Sequence, residues 1–346
     1  MTSAKTSIFI TGATGYIGGT ILKRLLQHGN AASFDISVLV RSADKAEKFK
    51  ALGVKAVIGT YSDEDVLFES ARKADIVFQN VEIANVVPIK AILRGLKRRF
   101  QETGTRPVVI HTSGTAAVND SANGMYDSNT VYSDMEPDRV QSDEFVLPHR
   151  FVNAELLKAD QEGYIRSHII YPSTVWGLAT GPLVDAGLQN PHSIQIPAWI
   201  RISIARGKAF KIGEGRNIWP DTHIEDLADL YMLVFNRVLS DPAASHGRDG
   251  LYFAGKDEHR LIDVYSAIAK SLYELGKVDS PEPTRLEDDE AIKYFGNALF
   301  VTSAHGGNSR VRSDRSFAIG WKPTRGTAEM LNSIKPECEV IVRETA

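Results

Sequence analysis

The feature that most constrains this chain is a glycine turn within its first twenty residues. Ile8–Thr11 reads as a short apolar strand, Gly12, Gly15 and Gly18 follow it, and an amphipathic helical pattern starts at Tyr16. Glycines between a strand and a helix let the backbone turn tightly and approach a pyrophosphate. The charge of that group is met by main-chain N–H groups and the positive end of the helix. A bare glycine triplet is weak, but here the strand precedes it, the helix follows, and a second strand ends about one βαβ unit later at Val40. Thr14, Tyr16 and Ile17 belong to the same turn and are expected to share in binding a dinucleotide.

The second strand sets the expected form of that dinucleotide. Where an acid would bind the ribose 2′-hydroxyl of NAD, the chain has Val40, Arg41 and Ser42. Arg41 can fork onto a 2′-phosphate, Ser42 can add a hydroxyl and Lys45 can add charge, so the cofactor expected is NADP(H). Asn80, directly after the fourth strand, is a further candidate contact.

Short β-rich runs alternate with helical ones through the first half: residues 8–11, 37–40, 55–59, 75–79, 107–111 and 167–170 against helices over Tyr16–Gln27, Asp44–Leu52, Asp63–Arg72, Val86–Gln101 and Pro148–Glu162. Strands separated by helix-length segments imply right-handed crossovers and a parallel, doubly wound α/β sheet. Gly163 reads as the stop of the last helix. The polar segment Gly114–Leu147 reads as a long loop near the site, expected to be mobile without ligand. Past Tyr171 the alternation weakens, and Pro/Gly-rich stretches at Gly177–Pro197 and Gly213–Pro220 bracket a helix around Trp199–Gly207. The division expected is a Rossmann-type domain over 1–175 and a smaller substrate-binding lobe over 176–346, some of whose segments return to the first sheet.

Composition narrows the class. The 346 residues are 43% apolar and 24% charged, a globular balance, and a net charge of -3 leaves no basic excess for a phosphate backbone. Nucleic acid is not an expected partner. One cysteine, Cys338, permits neither an internal disulfide nor a thiolate cluster, and no His and carboxylate pattern suggests a metal. With a short polar leader and no apolar run of membrane-spanning length, a cytoplasmic protein with no membrane partner is expected.

Four segments together carry a family resemblance: TGATGYIGG at the glycine turn, Tyr171-Pro172-Ser173 at a strand end, His223–Ala228 (HIEDLA), and Gly320-Trp321 with Pro323. In order and spacing the chain resembles the extended short-chain dehydrogenase/reductase superfamily, also called the NAD-dependent epimerase/dehydratase family, over nearly its whole length. Fungal epimerase/dehydratase-like members are the most similar in pattern. The resemblance implies that Tyr171, Pro172 and Ser173 pack on the nicotinamide half of the cofactor. It also implies a homodimer through the helices at Val86–Gln101 and Pro148–Glu162.

The resemblance implies a Tyr-x-x-x-Lys pair on the helix after the fifth strand, where the ammonium lowers the cost of a phenolate otherwise titrating near ~10. This chain departs from that pattern. Tyr126, Tyr132 and Tyr164 are followed four residues later by Thr130, Glu136 and His168, and the pairs Tyr252/Lys256 and Tyr273/Lys277 fall after HIEDLA, in the wrong part of the fold. Aligning the helices puts His149 at the tyrosine position and Asn153 at the lysine position, with Ser113 or Thr115 in place of the strand-end hydroxyl. An imidazole titrating near ~6.5 can act as acid or base without a lysine. His149 is therefore the candidate proton carrier, Asn153 its orienting partner, and Tyr132 a second candidate acid. A histidine that only caps or packs is an equally good reading. Trp176 and Trp219 are candidates to line a substrate pocket for a flat or apolar molecule, or else core. Glu225 and Asp226 suit a helix start and are read as structural.

The reading these residues support is an NADPH-dependent oxidoreductase reducing a small carbonyl, enone or imine compound with a non-standard proton donor. Two alternatives stay open: an NADP(H)-sensing regulator without turnover, and a non-redox lyase, cyclase or isomerase on the same scaffold.

Overall fold

The computed structural model describes residues 5–80, 85–142, 149–296 and 305–345. The first half winds β1 (Thr6–Thr11), α1 (Tyr16–Leu26), β2 (Phe34–Val40), α2 (Ala43–Ala51), β3 (Lys55–Ile58), α3 (Glu64–Arg72), β4 (Ile76–Gln79), α4 (Val86–Thr103) and β5 (Val108–Thr112). After a long connection come α5 (His149–Gln161) and β6 (Arg166–Pro172). One further strand, β9 (Leu251–Ala254), joins from far along the chain, giving a seven-stranded sheet in the order β9-β6-β5-β4-β1-β2-β3 with every pairing parallel.

Alternation of side chains explains why these runs form a two-faced sheet. Ile8, Ile10, Val38, Val40, Ile76, Phe78, Val108, Ile110, Tyr252 and Ala254 enter one core, under α1 and the later helix α7 (Ile224–Ser240). Their immediate neighbours Phe9, Leu39, Val77, Val109, Leu251 and Phe253 enter the other, under α3, α4 and α5. Side chains on successive strand residues point to opposite faces, and both faces are covered, so the strands are apolar throughout. Gly104 and Gly163, at φ +68° and +83°, stop α4 and α5 in the left-handed conformation that glycine adopts without strain.

The chain leaves the main sheet at Pro172–Ser173 and enters a three-stranded sheet as β7 (Thr174–Trp176), parallel to β8 (Ile218–His223), which is antiparallel to β10 (Asp257–Arg260). Around this sheet α6 (Gln195–Arg206), α8 (Leu261–Glu274) and α9 (Thr327–Glu344) close a third core built on Trp199, Phe210, Tyr265 and Ile334. No helix of the described residues is long and apolar enough to cross a membrane.

The segment after β5 departs from the expected free loop. Thr115–Val118 forms a helical turn, Tyr132–Ser133 pairs with Val311–Arg312, and Pro137–Val140 is helical. Two of the polar residues that suggested a long loop accept hydrogen bonds from distant backbone. Asp120 accepts from the Asn308 amide (2.7 Å), and fully buried Asp134 accepts from the amides of Phe253 and Arg315 at 3.0 and 2.7 Å. Burial raises the Asp134 carboxyl to about 6 despite those donors. The expected helix start at Pro148 lies outside the described residues.

Candidate functional site

A cleft of about 370 Å³ opens at the carboxyl ends of β1, β4, β5 and β6, where parallel strands of this topology leave a crevice. Gly12, Gly15, Tyr16, Ile17 and Gly18 form one wall, Asn80 and Ser113–Ala116 the floor, and Pro172, Ser173 and Val175 a third side. His149 and Trp219 also line it. Asn190, Ser193, Ile194 and Gln195 complete it, brought back over the turn by the Asn190 amide donating to Thr14 O at 3.0 Å.

The turn itself is tight. Gly12 sits at φ +74°, the Gly15 amide donates to Gly12 O (2.9 Å), and a Cβ at Gly18 would lie 2.3 Å from that oxygen. Gly15 caps α1 without a side-chain acceptor, and the first turn holds no acid. The leading amides of α1 therefore keep their donors for an anion, so this cradle fits a diphosphate. Tyr16 is less available than its position suggests, because its hydroxyl donates to Gly177 O.

At the end of β2, Arg41 is exposed and no acid stands beside it. Ser42 accepts from the Lys45 amide at 3.4 Å as the N-cap of α2, so its side chain already has a local role, while Lys45 is half-buried. Asn80 is fixed from two sides: its Nδ2 donates to Thr11 O (3.0 Å), and Oδ1 accepts from Thr112 Oγ1 (2.7 Å), itself 2.6 Å from the Tyr231 hydroxyl.

Behind Ser113 lies a buried polar cluster. Asn153 Nδ2 donates to Ser113 Oγ (3.0 Å) and toward the Tyr171 hydroxyl (3.3 Å), which also accepts from Gln141 Nε2 at 2.8 Å. With its lone pairs engaged by Asn153, Ser113 keeps its own proton for the cleft. Tyr171 is wholly buried and its pKa is pushed up, so its phenol stays protonated and braces the cluster from behind. Thr115 is fully buried, and its Oγ1 has no hydrogen-bond partner among the described residues.

His149 Nε2 looks toward Gly114, where an added Cβ would lie 3.4 Å away. Burial pushes this imidazole down to about 4. The expectation of titration near neutrality therefore fails: with no carboxylate to hold a proton, desolvation keeps the ring neutral. His111, held by Gln79, lies nearby and is pushed down to about 3 for the same reason.

Other candidates sit elsewhere. Tyr132 pairs with Val311 under the Arg139 guanidinium, 5.1 Å from its ring centre, and is not a cleft residue. Trp176, expected beside Trp219, is core: its Nε1 donates to Asp221 (3.0 Å) and its ring meets His223 edge-on. Trp219 lines the cleft with its ring fixed by an Nε1 bond to Gly307 O at 2.7 Å. Glu225 pairs with Lys23 (2.6 Å) and Arg24 (3.0 Å), and Asp226 accepts from the Arg325 amide at 3.0 Å. Both are structural clamps. Among the described residues no group of three His, Cys, Asp or Glu is placed to hold a metal. Asn190, Ser193 and Gln195 escaped the sequence reading because no local pattern marks a segment folded back across a turn 175 residues earlier.

A seven-stranded parallel sheet, a glycine turn at its first crossover and a cleft over its carboxyl edge define a Rossmann-type α/β protein. Residues 4–94 match the model of the NmrA-like family. An Acremonium protein named oxidase ucsJ is 28% identical, over 98% of this chain and 97% of its own. The PbgP3 protein of Burkholderia pseudomallei superposes with a TM-score of 0.66 at 13% identity, covering 98% of each chain. A UDP-glucose 4-epimerase of Thermotoga maritima, solved with UDP-glucose, gives 0.63 at 14% identity over 98% of this chain and 99% of its own. The chain shares its fold with these solved structures and is similar to the NmrA-like family over its first quarter.

Proposed function

We propose that this protein is an NADP(H)-dependent oxidoreductase that reduces a small carbonyl, enone or imine compound. The observation that carries the reading is the glycine cradle with free leading amides on α1, joined at the end of β2 by a cationic side chain in place of an acid. The name of the Acremonium relative, similar over its whole length, supports redox chemistry. Gly12, Thr14, Gly15, Ile17 and Gly18 would hold the diphosphate, Arg41 with Lys45 the 2′-phosphate, and Asn80 with Pro172 and Ser173 the nicotinamide half.

The cofactor, when bound, supplies or accepts hydride. The chain's own part is to hold the reacting oxygen and its proton. The Ser113 hydroxyl, oriented by Asn153, donates to the substrate oxygen. His149 rests neutral beside it, able to take a proton from an alcohol and, in its scarce protonated form, to return one. Tyr171 and Gln141 keep Asn153 in place rather than touching substrate.

Isothermal titration with NADPH and NADH, followed by stopped-flow oxidation of NADPH with aldehydes, enones and imines, tests the reading. Expected are tighter binding of NADPH and turnover with at least one acceptor class. Binding without turnover would favour the sensor alternative, and no binding of either coenzyme would end the proposal.

A further inference from the structure

Among the described residues, the lining of the cleft carries no charged side chain. Of the described residues lining it, none is Lys, Arg, Asp or Glu, and its polar side chains, among them those of Asn80, Ser113, His149, Ser173, Asn190 and Gln195, are amides, hydroxyls and one imidazole. Residues 1–4, 81–84, 143–148, 297–304 and 346, which lie outside the described parts of the chain, include no lysine or arginine. Between the neutral polar groups the wall is apolar: Ile17, Ala116, Pro172, Val175, Ile194 and the fixed ring of Trp219.

From this lining we infer that the site takes an uncharged, ring-bearing carbonyl compound and rejects phosphorylated and carboxylated ones, nucleotide sugars included. The inference rests on the reductase reading for the word carbonyl, and on the cleft alone for the word uncharged.

Desolvation decides which ligands this lining admits. A diphosphate or carboxylate entering a site this small loses its water and needs paired cations or several N–H donors in return. Cations are lacking, and burial keeps the one imidazole unprotonated. The start of α6 is the other source of donors, since its cap Ile194 and Gln195 face the cleft, but its third residue is Pro197, which has no N–H. The α1 amides are committed to the coenzyme. A flat neutral ring meets the opposite balance: Trp219, Val175 and Ile194 cover its faces, and Ser113 with His149 meets one polar oxygen. The fold is shared with a UDP-glucose epimerase, yet this lining offers that ligand's diphosphate no counter-charge.

The test uses the full-length protein saturated with NADP+, and matched ligands: acetophenone, 1-tetralone and 2-cyclohexenone against 4-acetylbenzoate and UDP-glucose. Thermal shift and intrinsic fluorescence report binding, and NADPH oxidation reports turnover separately. At least one neutral ring ketone is expected to bind at least about a hundredfold more tightly than 4-acetylbenzoate, with no saturable effect of UDP-glucose. Ser193→Lys, which places a cation in the lining, is expected to shift that preference toward 4-acetylbenzoate by about tenfold or more. Neutral ligands that bind without being reduced would sink the reductase reading and leave this inference standing. Comparable binding of 4-acetylbenzoate or UDP-glucose, or no response to any neutral ketone at millimolar concentration, overturns it.

Discussion

At the scale of single residues, two side chains decide the chemistry proposed. Burial holds His149 near 4, so above that value its protonated fraction falls tenfold for each unit of pH, to about a thousandth at pH 7. If the imidazolium returns the proton during reduction, kcat/KM should rise about tenfold per unit as pH is lowered from 8 to 6. His149→Gln should abolish that slope. A flat wild-type profile, unchanged in the variant, would show that the proton comes from elsewhere, with the Ser113 hydroxyl next in line. In the proposed function Arg41 sets the coenzyme preference. Arg41→Ala removes a charge-assisted contact worth ~1.5–3 kcal/mol, so the Kd for NADPH should rise about ten- to a hundredfold while that for NADH barely moves. Calorimetry on the two coenzymes separates this from general damage to the fold.

At the scale of elements, the proposed cofactor cradle is a matter of backbone clearance. A methyl at residue 18 would sit 2.3 Å from the carbonyl of Gly12, so Gly18→Ala must pry α1 from β1 or deform the turn. Overpacking of this kind costs roughly 1–3 kcal/mol. The expected result is a lower thermal midpoint together with loss of measurable NADPH binding. A variant that binds normally would mean that the turn does not cradle the diphosphate. The strand-turn-helix unit was legible in the sequence because the contacts that set its turn, between Gly12, Gly15 and Gly18, are local. The same holds for the six alternating strands, whose neighbours such as Ile8 and Phe9 divide between two cores. The segment after β5 was not legible, for the converse reason. Asp120, Ser133 and Asp134 are satisfied by Asn308, Asp314 and Arg315, more than 180 residues on, and no local pattern carries that pairing. His149 was legible as a position but not as an acid, because its titration depends on burial rather than on sequence neighbours.

At the scale of the molecule, the same burial sets acid stability. His111, His149, His168, His223 and His305 are all pushed down, to about 3 or 4. Groups whose folded pKa lies below the unfolded value of ~6.5 give their full contribution above that pH and lose it as pH falls toward the folded value, each unit being worth about 1.4 kcal/mol. Asp134, raised to about 6, and Asp229 and His192, also raised, act in the opposite sense, but the five lowered imidazoles outnumber them. The thermal midpoint should therefore fall steadily from pH 6.5 downward. Circular dichroism melts at half-unit intervals would follow it, and a midpoint level from pH 7 to 4.5 would count against the buried histidines as its cause. His168, stacked on Tyr252 with neither ring nitrogen hydrogen-bonded to a described residue, is the one to replace. His168→Phe should blunt the decline without touching the cleft.

The strand β9 comes from residues 251–254, yet it is hydrogen-bonded along β6 in the main sheet, and α7, just before it, packs on α1. A polypeptide ending at residue 175 would thus expose the flank of β6 and leave one side of the glycine turn's helix uncovered. Expressed alone, that piece should be insoluble or molten by near-ultraviolet dichroism. Grafting a foreign specificity half onto this scaffold by a single splice would fail for the same reason: the recombinant must carry across the returning strand and its helix as well, so pocket diversity here has to arise by point changes within an interwoven chain rather than by exchange of parts.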